Sequence, residues 1–106
     1  MIEVIWTKPA EKDLENILAY VAGESLQGAN TIASRIEKTV SVISRFPLGA
    51  RPDRETGSYE RVVSGLPYLL IYDLVEVPGD GLRAEVLAVF HTSRSPEKKP
   101  RRDKKR

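Results

Sequence analysis

Three side chains in the second half of the chain, Arg61, His91 and Arg94, are of types that ribonucleases use to cleave RNA. Cleavage without a metal ion requires a base for the 2′-hydroxyl, a cation that stabilises the phosphorane and an acid for the leaving oxygen. His91 is the natural candidate to transfer protons near neutral pH, and the two arginines could bind the phosphate. Each residue also has a structural interpretation, because a histidine can end a strand and an arginine can form an ion pair or stay solvated.

Two tyrosines, Tyr68 and Tyr72, are four positions apart and therefore share one face of a predicted strand. They could contact a macromolecular target, although packing on the sheet also explains them. The candidates for target contact are accordingly Arg61, Tyr68, Tyr72, His91 and Arg94. The chain has no cysteine and one histidine, so disulfides, Cys-based metal sites and thiol nucleophiles are excluded, and we expect neither a metal nor a cofactor.

The charge of the chain is distributed unevenly. The net charge is +2, yet residues 1–96 carry ten basic and thirteen acidic residues, whereas residues 97–106 carry seven basic and two acidic ones. The body is therefore mildly acidic, and the basic character belongs to the C-terminal segment. An acidic body disfavours an RNA-binding or ribosome-binding surface, because phosphate electrostatics dominates such affinity.

Hydrophobic periodicity predicts one strand, two helices and three further strands. The predicted elements are a strand over residues 2–6, a helix from Thr7 to Gly23, a helix from about Gly28 to Phe46, an exposed loop over 48–58, and strands over 59–64, 68–77 and 83–91. Thr7 is a possible N-cap, and Pro47 cannot continue a helix. The strand over residues 68–77 is apolar on both faces, which predicts a central position in the sheet.

This order predicts an α+β fold, a β-α-α-β-β-β two-layer sandwich with the helical hairpin on one face of a mainly antiparallel four-stranded sheet. The opposite sheet face has no predicted cover, and we expect Tyr59, Arg61, Tyr68 and Tyr72 to line it as a binding surface. Residues 1–94 are predicted to form one domain. Residues 95–106 are predicted to be a disordered basic tail, because they are too polar to bury.

The N-terminal residues carry an acidic side chain, Glu3, and no long apolar run, which is not the pattern of a signal peptide. No stretch approaches the roughly 20 apolar residues that a membrane-spanning helix needs. The absence of cysteine fits a reducing compartment. We therefore expect a soluble cytoplasmic protein without a membrane partner.

Several short segments occur in an order and at a spacing typical of one toxin superfamily. They are Asp13-Leu14-Glu15-Asn16-Ile17, Ala33 with Ile36, Phe46-Pro47-Leu48-Gly49, Tyr59-Glu60-Arg61, Tyr68-Leu69-Leu70-Ile71-Tyr72, and Val89-Phe90-His91 with Arg94. On these segments, which span about residues 2–94, the chain resembles the RelE/ParE superfamily of type II toxin–antitoxin toxins. The order and spacing carry the resemblance together.

The resemblance implies one of two activities. RelE-like members are ribosome-dependent mRNA endonucleases, and ParE-like members poison DNA gyrase. RelE-like nucleases commonly place an arginine directly after the tyrosine of the central strand, where this chain has Leu69, and no aromatic residue follows Phe90. The chain therefore resembles ParE more closely, and we expect a protein that binds its target rather than an enzyme.

The resemblance also implies partners. We expect a cognate antitoxin that docks on the helical hairpin and the sheet edge, and DNA gyrase as the target. The alternatives are a metal-independent mRNA endonuclease that acts on the ribosome and its mRNA with Arg61, His91 and Arg94, and a degenerate toxin that only binds its antitoxin. The basic tail could be a solubilising end, contact nucleic acid or pair with an acidic stretch of the antitoxin.

Overall fold

The computed structural model describes residues 1–53 and 56–93. The elements are β1 (Glu3–Trp6), α1 (Lys8–Ala22), α2 (Leu26–Arg45), β2 (Arg51–Pro52), β3 (Tyr59–Val62), β4 (Tyr68–Val77) and β5 (Gly81–His91). Arg94 and the predicted tail lie outside the described residues, so the domain boundary at residue 94 stays a prediction. No helix in the described ranges is long and apolar enough to cross a membrane.

Both helices begin at side-chain caps. The Thr7 hydroxyl accepts a hydrogen bond from the Ala10 amide at 3.4 Å and donates one to the Val86 carbonyl at 2.8 Å, so this cap also ties α1 to β5. Helix α2 begins two residues earlier than predicted, because the Ser25 hydroxyl caps it by accepting from the Gly28 amide at 2.9 Å. Phe46 is the C-cap of α2, as expected for a residue that precedes proline.

The sheet confirms the predicted α+β class and corrects the number of strands. The strand order is β1-β5-β4-β3-β2, with β1 parallel to β5 and every other pair antiparallel. The prediction of four strands was wrong, because β2 lies in the segment predicted to be an exposed loop. A two-residue strand has no period to detect, and a 3.0 Å ion pair between Arg51 and Glu60 holds β2 on β3. Strand β4 is central, as predicted.

A β-bulge in β5 decides which side chains face the helices. Ile71 pairs with Ala88 and Tyr72 pairs with Val86, so Leu87 is an extra residue between two ladder positions. Before the bulge, even-numbered residues such as Ala84 pack on the helices; after it, odd-numbered residues such as Val89 do so. The bulge therefore turns the end of β5, including His91, towards α1.

The prediction that four aromatic and basic residues line the sheet face away from the helices was wrong. Tyr59, Tyr68 and Tyr72 pack in the core between the sheet and the two helices, and Arg61 of β3 lies on the same face of the sheet. The outer face instead carries a smaller buried cluster, Leu69, Ile71, Ala88 and Phe90. Apolar residues on both faces of β4 and β5 make the two faces hard to distinguish from the sequence.

Candidate target-binding site

Tyr68 and His91 lie opposite each other at the end of the β4–β5 pair. Their rings are 5.2 Å apart between centroids and 87° apart in orientation, an edge-to-face contact. Together with Asp13, Asn16 and Tyr20 of α1 they line a depression of about 220 Å³. The structure therefore brings two of the predicted site residues together, beside a helix that sequence analysis did not assign to the site.

The contacts of His91 indicate which tautomer its neutral ring adopts. The backbone amide of Ser93 donates to Nδ1 at 3.2 Å, and the Ser93 hydroxyl lies 2.7 Å from the same nitrogen. Because a backbone amide can only donate, Nδ1 is the acceptor, and the neutral ring carries its proton on Nε2. His91 thus has one nitrogen engaged by the chain that follows β5 and one that can serve a partner.

Asp13 joins α1 to the strand that carries His91, a role that sequence analysis missed. Strand β1 ends at Trp6, so the Val89 amide has no strand partner on that side of β5. The Asp13 carboxylate accepts from this amide at 3.0 Å and so fixes α1 against the strand that carries His91. An aspartate in the first half of a helix also fits a solvated surface position, and no feature of the sequence separates the two roles.

Arg61 and Tyr72 form a second cluster, under the loop that follows α2. Tyr72 is fully buried, donates to the Pro47 carbonyl at 2.7 Å and stacks on Tyr59 with centroids 5.5 Å apart. Arg61 donates from Nη2 to the Phe46 carbonyl at 3.4 Å. Both side chains therefore fasten the Phe46–Pro47 segment to the sheet, which is a structural role.

The electrostatics of this cluster keeps Tyr72 neutral. Burial raises the pKa of the Tyr72 hydroxyl above its ordinary value of 10.0, and the charge and hydrogen bond of Arg61 oppose part of that rise. A neutral phenol retains its proton for the Pro47 carbonyl. Tyr72 is thus suited to hold the loop and poorly suited to act as an acid or base near neutral pH.

The described residues do not assemble the catalytic set considered from the sequence. Arg61 lines a depression with Arg35 and Lys38 of α2, whereas His91 lines the one beside α1, and no residue lines both. Arg94 lies outside the described residues. Within those residues, no group of three His, Asp or Glu side chains could hold a metal ion. A phosphate at His91 would therefore lack the Arg61 cation.

An apolar groove is lined by residues of both helices and of the edge strand β1. Three adjoining depressions form it: Val40 lines two of them, and Trp6 and Leu14 line the second and third. We call this the hairpin groove, and its apolar lining consists of Met1, Val4, Trp6, Leu14, Leu18, Ala33, Ile36 and Val40. Glu11, Glu15 and Glu37 also line it, with Arg45 at the end near Met1, so the charged residues of its rim are mainly acidic.

Comparisons with known proteins agree with this architecture. Residues 4–96 match the family described as "ParE toxin of type II toxin-antitoxin system, parDE". A Sinorhizobium fredii protein described as "Putative toxin Y4kP" is 28% identical over 86 residues, which are 81% of this chain and 83% of that protein. A solved chain described as "Chromosomal ParDE TA system from P. aeruginosa" superposes with a TM-score of 0.68 at 20% identity, over 88% of this chain and 98% of that one, a likeness of fold alone.

Proposed function

The chain belongs to the ParE toxin family of type II toxin–antitoxin systems, and from this premise we propose that it arrests growth by binding DNA gyrase. On this proposal the toxin stabilises a cleaved gyrase–DNA state and leaves the cutting of DNA to gyrase. A cognate antitoxin covers the toxin and neutralises it.

One observation favours binding over catalysis. Arg61 and His91 line separate depressions, and Arg61 is engaged with the Phe46 carbonyl, so the described residues offer no shared site for a base and a cation on one phosphate. General acid–base cleavage needs both groups within hydrogen-bond reach of the same reacting centre. The depression around Tyr68 and His91 is better suited to accept a side chain of a protein partner, because it combines aromatic surface with polar groups.

The hairpin groove supports the proposal of an antitoxin partner. An amphipathic helix of the antitoxin would lay its apolar side against Trp6, Leu14 and Val40. The acidic rim favours a helix that carries lysine or arginine beside its apolar stripe. Because β1 is an edge strand, an extended segment of the same partner could add to the sheet beside the groove.

A translation reaction tests the binding proposal against the endonuclease alternative. We expect the purified protein, added to a cell-free translation reaction, to leave the message intact, because residues 1–53 and 56–93 place no complete acid–base set at one site. The His91→Ala variant should give the same intact message. Message cut at discrete codons by the wild type, and left whole by His91→Ala, would establish the endonuclease and contradict the proposal.

A further inference from the structure

A cluster of three cations lies where α2 approaches β3, away from the depression that His91 lines. Arg35 and Lys38 of α2 and Arg61 of β3 line a depression of about 310 Å³, together with Thr39, Ser64, Val42 and Val62. We call it the basic depression. None of its lining residues is acidic, although acidic residues outnumber basic ones over residues 1–96. Three of the ten basic residues of a mildly acidic body thus line one depression that has no acidic residue.

We infer that the basic depression binds the phosphodiester backbone of duplex DNA. The inference rests on the proposed function, in which the toxin acts on a gyrase–DNA complex, and adds a direct contact between toxin and DNA. Guanidinium groups bind phosphate oxygens in a bidentate manner, and a lysine adds a point charge. A local positive patch lets an acidic protein approach DNA in one orientation.

The charges of the three cations are not neutralised by any carboxylate among the described residues, because the hydrogen bonds of Arg35 and Arg61 go to uncharged backbone carbonyls. The ion pairs among the described residues join Arg51 to Glu60 and Arg83 to Glu85, and both involve arginines outside the basic depression. Three neighbouring positive charges repel one another, and a bound polyanion relieves that repulsion. A cluster that costs the isolated protein stability in this way is expected where a partner supplies the opposite charge.

The local structure orients Arg35 before any ligand binds. Its Nη1 donates to the Ser64 carbonyl at 2.7 Å, so the guanidinium is held at the turn between β3 and β4. This turn requires glycine at position 65, where φ is +75° and a Cβ atom would collide with Arg35 Nη1. A held arginine loses less conformational entropy on binding than a free one.

Salt dependence of binding tests the inference in the full chain. We expect Lys38→Gln to reduce the magnitude of the slope of log K against log salt by about 0.9 on a 20-base-pair duplex, since each lost phosphate contact removes roughly that amount. Lys12→Gln is the matched control, because Lys12 is an exposed lysine of α1 that lies outside the basic depression. The basic C-terminal residues contribute equally to all three proteins and cancel in the comparison.

Equal slopes for the wild type and Lys38→Gln would overturn the inference. So would a slope change of the same size for Lys12→Gln, or for a duplex RNA of the same sequence. A second readout is the set of amide NMR signals: addition of the duplex should shift those of Thr39 and Ser64 in the wild type. Shifts confined to other parts of the chain would also overturn it.

The test separates this inference from the proposed function because it uses DNA without gyrase. If the wild type has no effect on gyrase but Lys38→Gln shows the expected change of slope, the gyrase proposal is contradicted and the DNA contact is supported. A wild type that traps cleaved gyrase–DNA complexes, with an unchanged slope in Lys38→Gln, would overturn the DNA contact and leave the gyrase proposal standing.

Discussion

Replacement of Ala33 by glutamate is expected to leave the fold intact and to prevent neutralisation by the antitoxin. Ala33 lies half-buried in the hairpin groove beside Trp6 and Leu14, and it is not part of the buried core. A glutamate there would fill the groove and bury a charge against the apolar face of the docked helix. Such an unpaired interfacial charge costs about 2–5 kcal/mol, so affinity should fall roughly 30-fold or more.

The matched control for this experiment is Ser34→Glu, which makes the same charge change at the next, exposed residue outside the groove. Cells that co-express the toxin and the antitoxin encoded beside it should grow with the wild type and with Ser34→Glu, and stop growing with Ala33→Glu. The purified proteins should show the same ranking of dissociation constants. Normal neutralisation of a folded Ala33→Glu toxin would show that the antitoxin docks elsewhere.

Loss of the Tyr72 side chain is expected to destabilise the protein more than any other single change considered. Tyr72 is fully buried, stacks on Tyr59 and holds the Pro47 carbonyl. Tyr72→Ala removes a large core side chain, which costs about 3–5 kcal/mol. For a domain of this size each kcal/mol lowers the melting temperature by about 4–8 °C, so calorimetry should show a fall of at least roughly 12 °C.

The Tyr72→Phe variant isolates the hydroxyl. Its loss leaves the Pro47 carbonyl without its donor and should cost about 1 kcal/mol in chemical denaturation. Tyr20→Phe is the control, because Tyr20 is 72% exposed and its hydroxyl supports no core contact. If Tyr72→Phe were as stable as the wild type, the hydrogen bond to Pro47 would not fasten the loop.

The pH dependence of that difference follows from the raised pKa of Tyr72. The folded state holds the phenol neutral at pH values where the unfolded chain ionises it. Its contribution is therefore fully present below the ordinary pKa of 10.0 and is lost as the pH rises through the higher folded-state value. The stability difference between wild type and Tyr72→Phe should stay constant from about pH 6 to pH 9 and narrow above pH 10; a change below pH 8 would contradict this.

The order of the elements could be predicted because local signals specify it. Thr7 and Pro47 mark helix boundaries by chemistry that acts within a few residues, and the apolar run of β4 indicates a central strand. The α+β class is confirmed for this reason. The predicted start of α2 at Gly28 was too late, because the prediction did not use Ser25 as the N-cap.

The placement of the candidate residues could not be predicted, because it depends on contacts between distant elements. The bulge at Leu87 turns His91 towards α1, and no residue type in β5 indicates that a bulge occurs there. Tyr68 and Tyr72 were expected on the outer face and lie in the core. Asp13 and Val89 are joined across 76 positions of the chain, a separation over which periodicity carries no information.

The basic depression illustrates the same limit. Arg35 and Lys38 of α2 lie beside Arg61 only in the folded chain, because more than 20 positions of sequence separate them from it. Counting charges along the sequence placed the basic residues in the C-terminal segment and missed this local excess of positive charge on the body.

Target contact stays a prediction for the five candidates named from the sequence: Arg61, Tyr68, Tyr72, His91 and Arg94.

The most direct test of the central claim uses purified toxin, purified DNA gyrase and a supercoiled plasmid. If the toxin acts by binding, linear plasmid should accumulate after denaturation of the protein, only when toxin and gyrase are both present, and equally with the wild type and His91→Ala. A toxin that leaves supercoiling and cleavage by gyrase unchanged at saturating concentration, while it stops growth in cells, would contradict the account.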